Sequence, residues 1–276
     1  MITLSAVDVK KLRDMTGAGM MDCKNALTEA DGDIEKAIEI LRKKGQKLSV
    51  KRADREAKEG AVIALVTDDK KRGVIVKLSC ETDFVAKNDD FVKMTRDFAQ
   101  IALKNFPATR EDLLNLDYNG ITIGDKITEQ VGVIGEKVEL AGYERLEAPQ
   151  IAPYIHMGNR AGVLVGLNKE DGKFYDAGRD VAMQVAAMRP VAVDKDGVSA
   201  EIIEKEIEIG KEQARQEGKP EAMLEKIAIG KLNKFYQEST LLNQTYVKDS
   251  KLTVQAYLKS LDGDLTVTDF KHIELG

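Results

Sequence analysis

"GAVIALVTDDKKRGVIVKLS" (residues 60–79) sets two runs of aliphatic and β-branched residues on either side of a charged turn. Apolar runs of this length, rich in Val and Ile and bounded by turn residues, predict a β-hairpin. The next stretch, "CETDFVAKND" (80–89), is a polar corner, and "FVKMTRDFAQIAL" (91–103) after it has the apolar spacing of an amphipathic helix. At the corner an acid and an aromatic stand side by side, Asp83 and Phe84. A phenylalanine in a polar turn needs somewhere to put its ring, either its own core or another molecule.

Outward from this hairpin the pattern recurs. "KVELAGYERLE" (137–147) alternates and predicts a third strand, preceded by a helix through Ile127, Val131 and Ile134 that ends at Gly135. "IAPYIHMGNRAGVLVGLN" (151–168) predicts another hairpin, and "LTVTDFKHIEL" (265–275) another third strand. The segments "RDFAQIALKNFP" (96–107) and "RDVAMQVAAMRP" (179–190) share their opening Arg-Asp, their helical period and a proline at the same distance. Dipeptide, period and stop together indicate a duplication. The fold class is therefore α+β, with two related units at 56–147 and 148–276, each a small three-stranded antiparallel sheet covered by helices.

Between the second unit's helix and its last strand, at about 198–241, the chain predicts a helical hairpin. Ser199 caps its first helix and Glu217-Gly218-Lys219-Pro220 makes the turn. It is charged along most of its length, as a projecting element is, whether a partner's docking arm or only a stabilising one. At the other end, residues 5–45 predict three short helices. Ser5 and Asp8 resemble a capping box, Gly17 and Gly19 break the chain, Asp33 caps the third helix, and Ile34, Ala37, Ile38 and Leu41 form its apolar stripe. Gly45 is the expected stop. The basic stretch "RKKGQKLSVKRADREAK" (42–58) reads as a solvated linker, so residues 1–55 form a separable module with that linker.

Composition narrows the function. The chain has 276 residues, more than one core usually needs. With 43% hydrophobic and 32% charged residues it has the make-up of a globular chain with a charge-rich surface, and its net charge of −5 counts against broad nucleic-acid binding. "MITLSAVDVK" lacks a signal-peptide pattern and no window nears the roughly 18 apolar residues of a membrane span, so a cytoplasmic chain without membrane contact is expected. Cys23 and Cys80 read as buried thiols rather than a disulfide. His156 and His272 stand apart from each other and from both cysteines, so no zinc site is expected. Without a Gly-x-x-x-x-Gly-Lys-Ser/Thr loop or a Gly-x-Ser-x-Gly elbow, neither direct nucleotide binding by a phosphate loop nor that hydrolase chemistry is expected. The expectation is a protein that is not an enzyme and takes no cofactor and no metal.

Four stretches, in order along the chain, carry a family resemblance: "LRDMTGAGMMDCKNALTEADGDIEKAIEILRKKG", "CETDFVAKN", "YIHMGNRAGVLVGL" and "GKPEAMLEKIAIGKLNKFYQESTLLNQTYVKD". The sequence resembles the elongation factor Ts family, bacterial and organellar guanine-nucleotide exchange factors for elongation factor Tu. The resemblance implies a ubiquitin-associated-like fold for the three N-terminal helices. It also implies a translation elongation factor that binds elongation factor Tu carrying GDP and promotes exchange for GTP. In this family the segment corresponding to Thr82, Asp83, Phe84 and Val85 is credited with dislodging Mg²⁺ from the partner. Phe84 would enter a pocket beside the helix behind the metal site, and Asp83 would make polar contacts near the cation. Met20 and Met21, placed on the loop between the first helices, and His156, in the second hairpin, match further partner contacts. The residues alone leave a plainer alternative open, with Phe84 folded into its own core and Asp83 capping the next helix. Lys77, Ser79 and Asn159 depart from the family pattern, and no role is carried onto them. The oligomeric state, a homodimer or a heterotetramer with the partner, stays open. The rival function is an RNA-binding or ribosome-associated adaptor built on the basic stretch, with a ubiquitin-type adaptor third.

Overall fold

The computed structural model describes residues 5–276. Three helices come first: α1 (Ala6–Thr16), α2 (Met20–Glu29) and α3 (Ile34–Arg52). Ser5 and Asp33 cap α1 and α3 as expected, accepting hydrogen bonds from the backbone N–H of Asp8 and Lys36. Leu12, Cys23, Leu27 and Ala37 close a small core among the three.

Gly45 is not the helix stop that its local pattern predicts. The third helix does not stop there but runs on to Arg52, so most of the basic stretch is helix rather than linker. Gly45 is buried inside α3 because another helix crosses it. A Cβ at Gly45 would lie 2.7 Å from the carbonyl oxygen of Thr128, and one at Gly132 would lie 3.0 Å from the Gly45 Cα. Both positions need glycine for close approach rather than for a turn.

Strands β1 (Glu59–Val66) and β2 (Arg72–Cys80) form the predicted hairpin. After the single turn α4 (Asp83–Ala86) comes α5 (Asp89–Asn105), then α6 (Arg110–Leu114) and a two-residue ladder of β3 (Asp117–Tyr118) and β4 (Ile121–Thr122). Helix α7 (Ile123–Ile134) is the one that α3 crosses, and it ends as predicted on Gly135 in the left-handed region. β5 (Val138–Glu147) then pairs with β2, giving the order β1-β2-β5. The second unit repeats this plan with β6 (Gln150–Ile155), β7 (Ala161–Leu167) and α8 (Gly172–Met188). The helical hairpin α9 (Ala200–Gln216) and α10 (Glu221–Ser239) follows. The short ladder β8 (Thr245–Tyr246) with β9 (Asp249–Thr253), helix α11 (Val254–Leu261) and strand β10 (Val267–Glu274) complete the chain, and β10 closes the sheet β10-β7-β6. The two matched segments end alike. α5 stops on Phe106 and α8 on Arg189, both left-handed, each followed by proline, which cannot continue a helix.

Both sheets are antiparallel, and they stack on one another. Ile63, Val74, Val76 and Leu78 face Phe91, Met94 and Phe98 of α5. Val163, Val165 and Leu167 face Val181 and Val185 of α8. The opposite faces meet through Val62, Ala64, Ile75, Ile151 and Leu164. Gly162 permits this contact, since a Cβ there would lie 3.0 Å from Val62 and 3.1 Å from Ile75. The layers are thus helix, sheet, sheet, helix. Strands covered on both faces are apolar without alternation, which is why "GAVIALV" shows none.

The helical hairpin packs mainly on itself, with Gly210 against Ala228 at the crossing. Its base is tied to the chain after α8 by the N–H groups of Leu241 and Leu242, bonded to the carbonyls of Ala192 and Val193. Cys23 and Cys80 are buried free thiols, and burial pushes Cys80 up to about 12. Among the described residues no helix is long and apolar enough to cross a membrane, and no cluster of His, Cys, Asp and Glu could hold a metal.

Candidate partner-binding site

The corner begins where β2 ends. Thr82 is extended, and Asp83 to Ala86 make one helical turn. Val85 and Ala86 turn inward and pack against the first unit's core. Phe84 turns outward and is 85% exposed. Beside it lies a shallow groove lined by Val85, Phe91, Gln130, Val133 and Ile134. Asp83 does not cap α5, because Asn88 does, accepting from the N–H of Asp90 at 2.8 Å. The Asp83 carboxylate instead takes the Lys87 ammonium at 2.6 Å, which holds it below the usual carboxylate range. The ring is therefore outside its own core and the acid is not a helix cap.

Two carboxylates that sequence reasoning passed over hold this corner. Glu136 accepts the N–H of Glu81 at 3.1 Å, the N–H of Thr82 at 3.0 Å and the Thr82 hydroxyl at 2.7 Å. Glu81 accepts the N–H of Lys137 at 2.6 Å, Arg52 at 2.7 Å and Arg55 at 3.2 Å. Burial alone would raise the Glu81 carboxyl, but the Lys137 N–H and the two guanidinium groups outweigh it and hold it below the usual carboxylate range. A carboxylate with a depressed folded-state pKa contributes stability that is present above its unfolded pKa and is lost as pH falls through the folded one. Glu81→Gln is accordingly expected to flatten the loss of stability below about pH 4.5, read from unfolding free energy against pH; an acid limb identical to that of the parent protein would contradict it.

The other anticipated residues sit around this corner. Met20 and Met21 are not on a loop, as expected from the glycines, but form the first turn of α2. They are 53% and 63% exposed, so they are surface rather than plugs of the small core. Thr16 and Ala18, just before them, line a cleft with Val133 of α7, and Val133 also borders the Phe84 groove. Helix α7 therefore backs both the N-terminal helices and the corner.

His156 lies exposed in the β6–β7 turn, its Nδ1 3.2 Å from the Tyr154 hydroxyl. Arg160 of that turn bridges to Glu59 at 3.2 Å, and Glu59 pairs in register with Cys80. The turn and the corner thus share one end of the stacked sheets. Asn159 adopts φ 56°, a left-handed conformation that asparagine tolerates better than most residues, so the turn is compatible with asparagine there. Met157, next to His156, is 82% exposed, a further apolar side chain at this turn. A methionine between a histidine and a glycine in a tight turn is its signal in the sequence. Lys77 donates to the carbonyl of Glu274 at 2.8 Å and ties the two sheets together, while Ser79 is buried.

The model of the family described as "Elongation factor TS" matches residues 81–276. The chain is 54% identical over 276 residues to "Elongation factor Ts" of Christiangramia forsetii, with 100% of each chain covered. The protein of the same name from Flavobacterium psychrophilum is 53% identical over 276 residues, again covering 100% of both. That from Chlorobaculum tepidum is 44% identical over 287 aligned residues at the same coverage.

Proposed function

Because the chain belongs to the elongation factor Ts family of translation elongation factors, we propose that it binds elongation factor Tu carrying GDP and promotes exchange of GDP for GTP by disturbing the partner's Mg²⁺ and phosphate site. An exchange factor breaks no bond. It binds the nucleotide-free partner more tightly than the loaded one, and by linkage it weakens nucleotide binding by the same factor. A rigid feature that fits only the distorted partner achieves this. The observation that carries the proposal is Phe84, a ring held out of its own core on a restrained corner. Burying such a ring in the partner is worth about 1.5–3 kcal/mol.

In this reading Thr82 to Val85 form the wedge, with Asp83 supplying charge near the partner's metal shell. Met20, Met21 and His156 add contacts on either side. Residues 1–55, 56–147 and 148–276 are its working divisions, and the cytoplasm, where translation runs, is its place. The protein catalyses no reaction and holds no nucleotide itself. The RNA-adaptor reading loses support because much of the basic stretch is already paired, Arg42 with Glu129 and Arg52 and Arg55 with Glu81.

The test is release of labelled GDP from purified elongation factor Tu with and without this protein. Sub-stoichiometric amounts are expected to accelerate release, and an unchanged rate would overturn the reading. Chelating Mg²⁺ is expected to mimic part of the acceleration. In equilibrium dialysis the protein alone is expected to show no saturable GDP binding, and micromolar binding would contradict the account.

A further inference from the structure

We propose that Glu136 is a positioning residue for the Phe84 corner, and that Glu81 couples the corner to the N-terminal helices; what the corner is used for rests on the exchange-factor reading above. Phe84 has almost no packing of its own, so only the backbone of residues 81–86 aims its ring. That backbone has little intrinsic rigidity. α4 is a single turn, closed by Ala86 to Thr82 at 3.2 Å and Lys87 to Asp83 at 3.0 Å, and one helical turn in isolation is not stable. Thr82 stands at its N-cap, yet its hydroxyl does not cap the turn.

The restraint comes from across the sheet. The β2–β5 ladder ends at the pair Cys80–Val138. One residue further on, carboxylates continue it: Glu136 takes both N–H groups of Glu81 and Thr82 with the Thr82 hydroxyl, and Glu81 takes the N–H of Lys137 in return. Two chain segments beyond the last ladder pair are thereby locked to one another by four hydrogen bonds. Glu81 also receives Arg52 and Arg55, and the Lys137 ammonium donates to the carbonyls of Ala53 and Arg55, each at 3.0 Å. The end of α3 is thus tied to the residues flanking the corner. A shift of the N-terminal helices, which carry Met20 and Met21, moves the partners of Glu81 and so bears on the corner's angle.

Among the described residues no ion pair reaches Glu136, whose oxygens are satisfied by neutral donors alone. Its role is therefore one of hydrogen bonding rather than charge. Glutamine can fill it, accepting both N–H groups with its carbonyl and donating its amide to the Thr82 oxygen; alanine cannot.

The experiment follows GDP release from elongation factor Tu at increasing concentrations of the full-length protein. Glu136→Ala is expected to lower the maximal rate about five- to thirtyfold, the cost of ordering a few freed dihedrals, with little change in the half-saturating concentration. Glu136→Gln is expected to recover the rate to within about threefold. In a Phe84→Ala background Glu136→Ala is expected to add nothing, because it acts through that ring. An unchanged maximal rate for Glu136→Ala, equal loss in both Glu136 variants, or additive loss in the double variant would each overturn the proposal. If Glu136→Ala does not fold, Thr82→Val, which removes the hydroxyl bond alone, must slow release in the same direction, and an unaltered rate counts against the proposal. A second readout needs no partner. Amide hydrogen exchange at residues 81–86 is expected to quicken in Glu136→Ala while the sheets stay protected, and unaltered protection there would refute the restraint. Should the parent protein fail to accelerate release, the exchange-factor reading falls, and amide exchange still decides whether Glu136 fixes the corner.

Discussion

Phe84→Ala is expected to reduce the maximal rate of stimulated GDP release about ten- to a hundredfold, as loss of a central anchor worth roughly 2 kcal/mol or more does. The protein's own stability should hardly change, because an 85% exposed ring has little to lose on truncation. The strands and helix flanking the corner keep their own apolar faces, from Val74 to Phe98. Saturation separates two ways in which the ring could act. If it served affinity alone, high concentrations of the variant would restore the rate. A wedge is needed in the step that distorts the partner, so the ceiling itself falls. Asp83→Asn should do less, since it keeps the shape and removes only the charge, which Lys87 partly screens at 2.6 Å. The control is thermal unfolding of Phe84→Ala by itself. A large drop in melting temperature with normal exchange activity would place the ring in this protein's own core and end the wedge account.

The corner's exposed ring is legible in the sequence only in part. A strand, a polar turn and an amphipathic helix locate Phe84 between them, but residue types do not say which way a side chain leaves a single turn. Caps and periods transferred well. Ser5, Asp33, Ser199 and Gly135 act where local chemistry placed them, because a cap depends on neighbours within four residues. Apart from Met20 and Met21, which open α2 rather than sitting on a loop, the larger departures are long-range. Glu81 and Glu136 meet at a separation of 55 positions along the chain, and nothing near either residue marks the pairing. Stacking of the two sheets is foreshadowed only by the missing alternation in "GAVIALV", which a hairpin exposed on one face would not show. The short elements α6, β3, β4, β8 and β9 are too brief to carry a period. Gly45 is the most instructive case. A glycine after an apolar stripe and basic residues has the same local signature whether it ends a helix or admits a second one, and only Gly132, far along the chain, distinguishes them.

That ambiguity makes Gly45→Val the sharpest test of how the N-terminal helices are held. In a solvent-exposed helix, replacing glycine by valine gains a few tenths of a kcal/mol from backbone propensity. At Gly45 the added Cβ would stand 2.7 Å from the Thr128 carbonyl, a backbone atom that cannot swing aside as a side chain tip can. Helices α3 and α7 must then part, and overpacking of this kind costs about 1–3 kcal/mol, occasionally more. The net expectation is destabilisation by about 2 kcal/mol, opposite in sign to the propensity effect. The damage should be local at first, with hydrogen exchange quickening in α3 and α7 before the second unit's sheet, because the core under α8 includes no residue of either helix. Function should follow the same path. Parting α3 from α7 draws Arg52 and Arg55 from Glu81 and moves Met20 and Met21 relative to the corner, so affinity for elongation factor Tu should fall about tenfold or more. A higher melting temperature in Gly45→Val would show that propensity had won and that the two helices are not in contact in solution. In that event the basic stretch would behave as the separating linker that composition suggested, and the N-terminal helices would engage the partner independently of the corner.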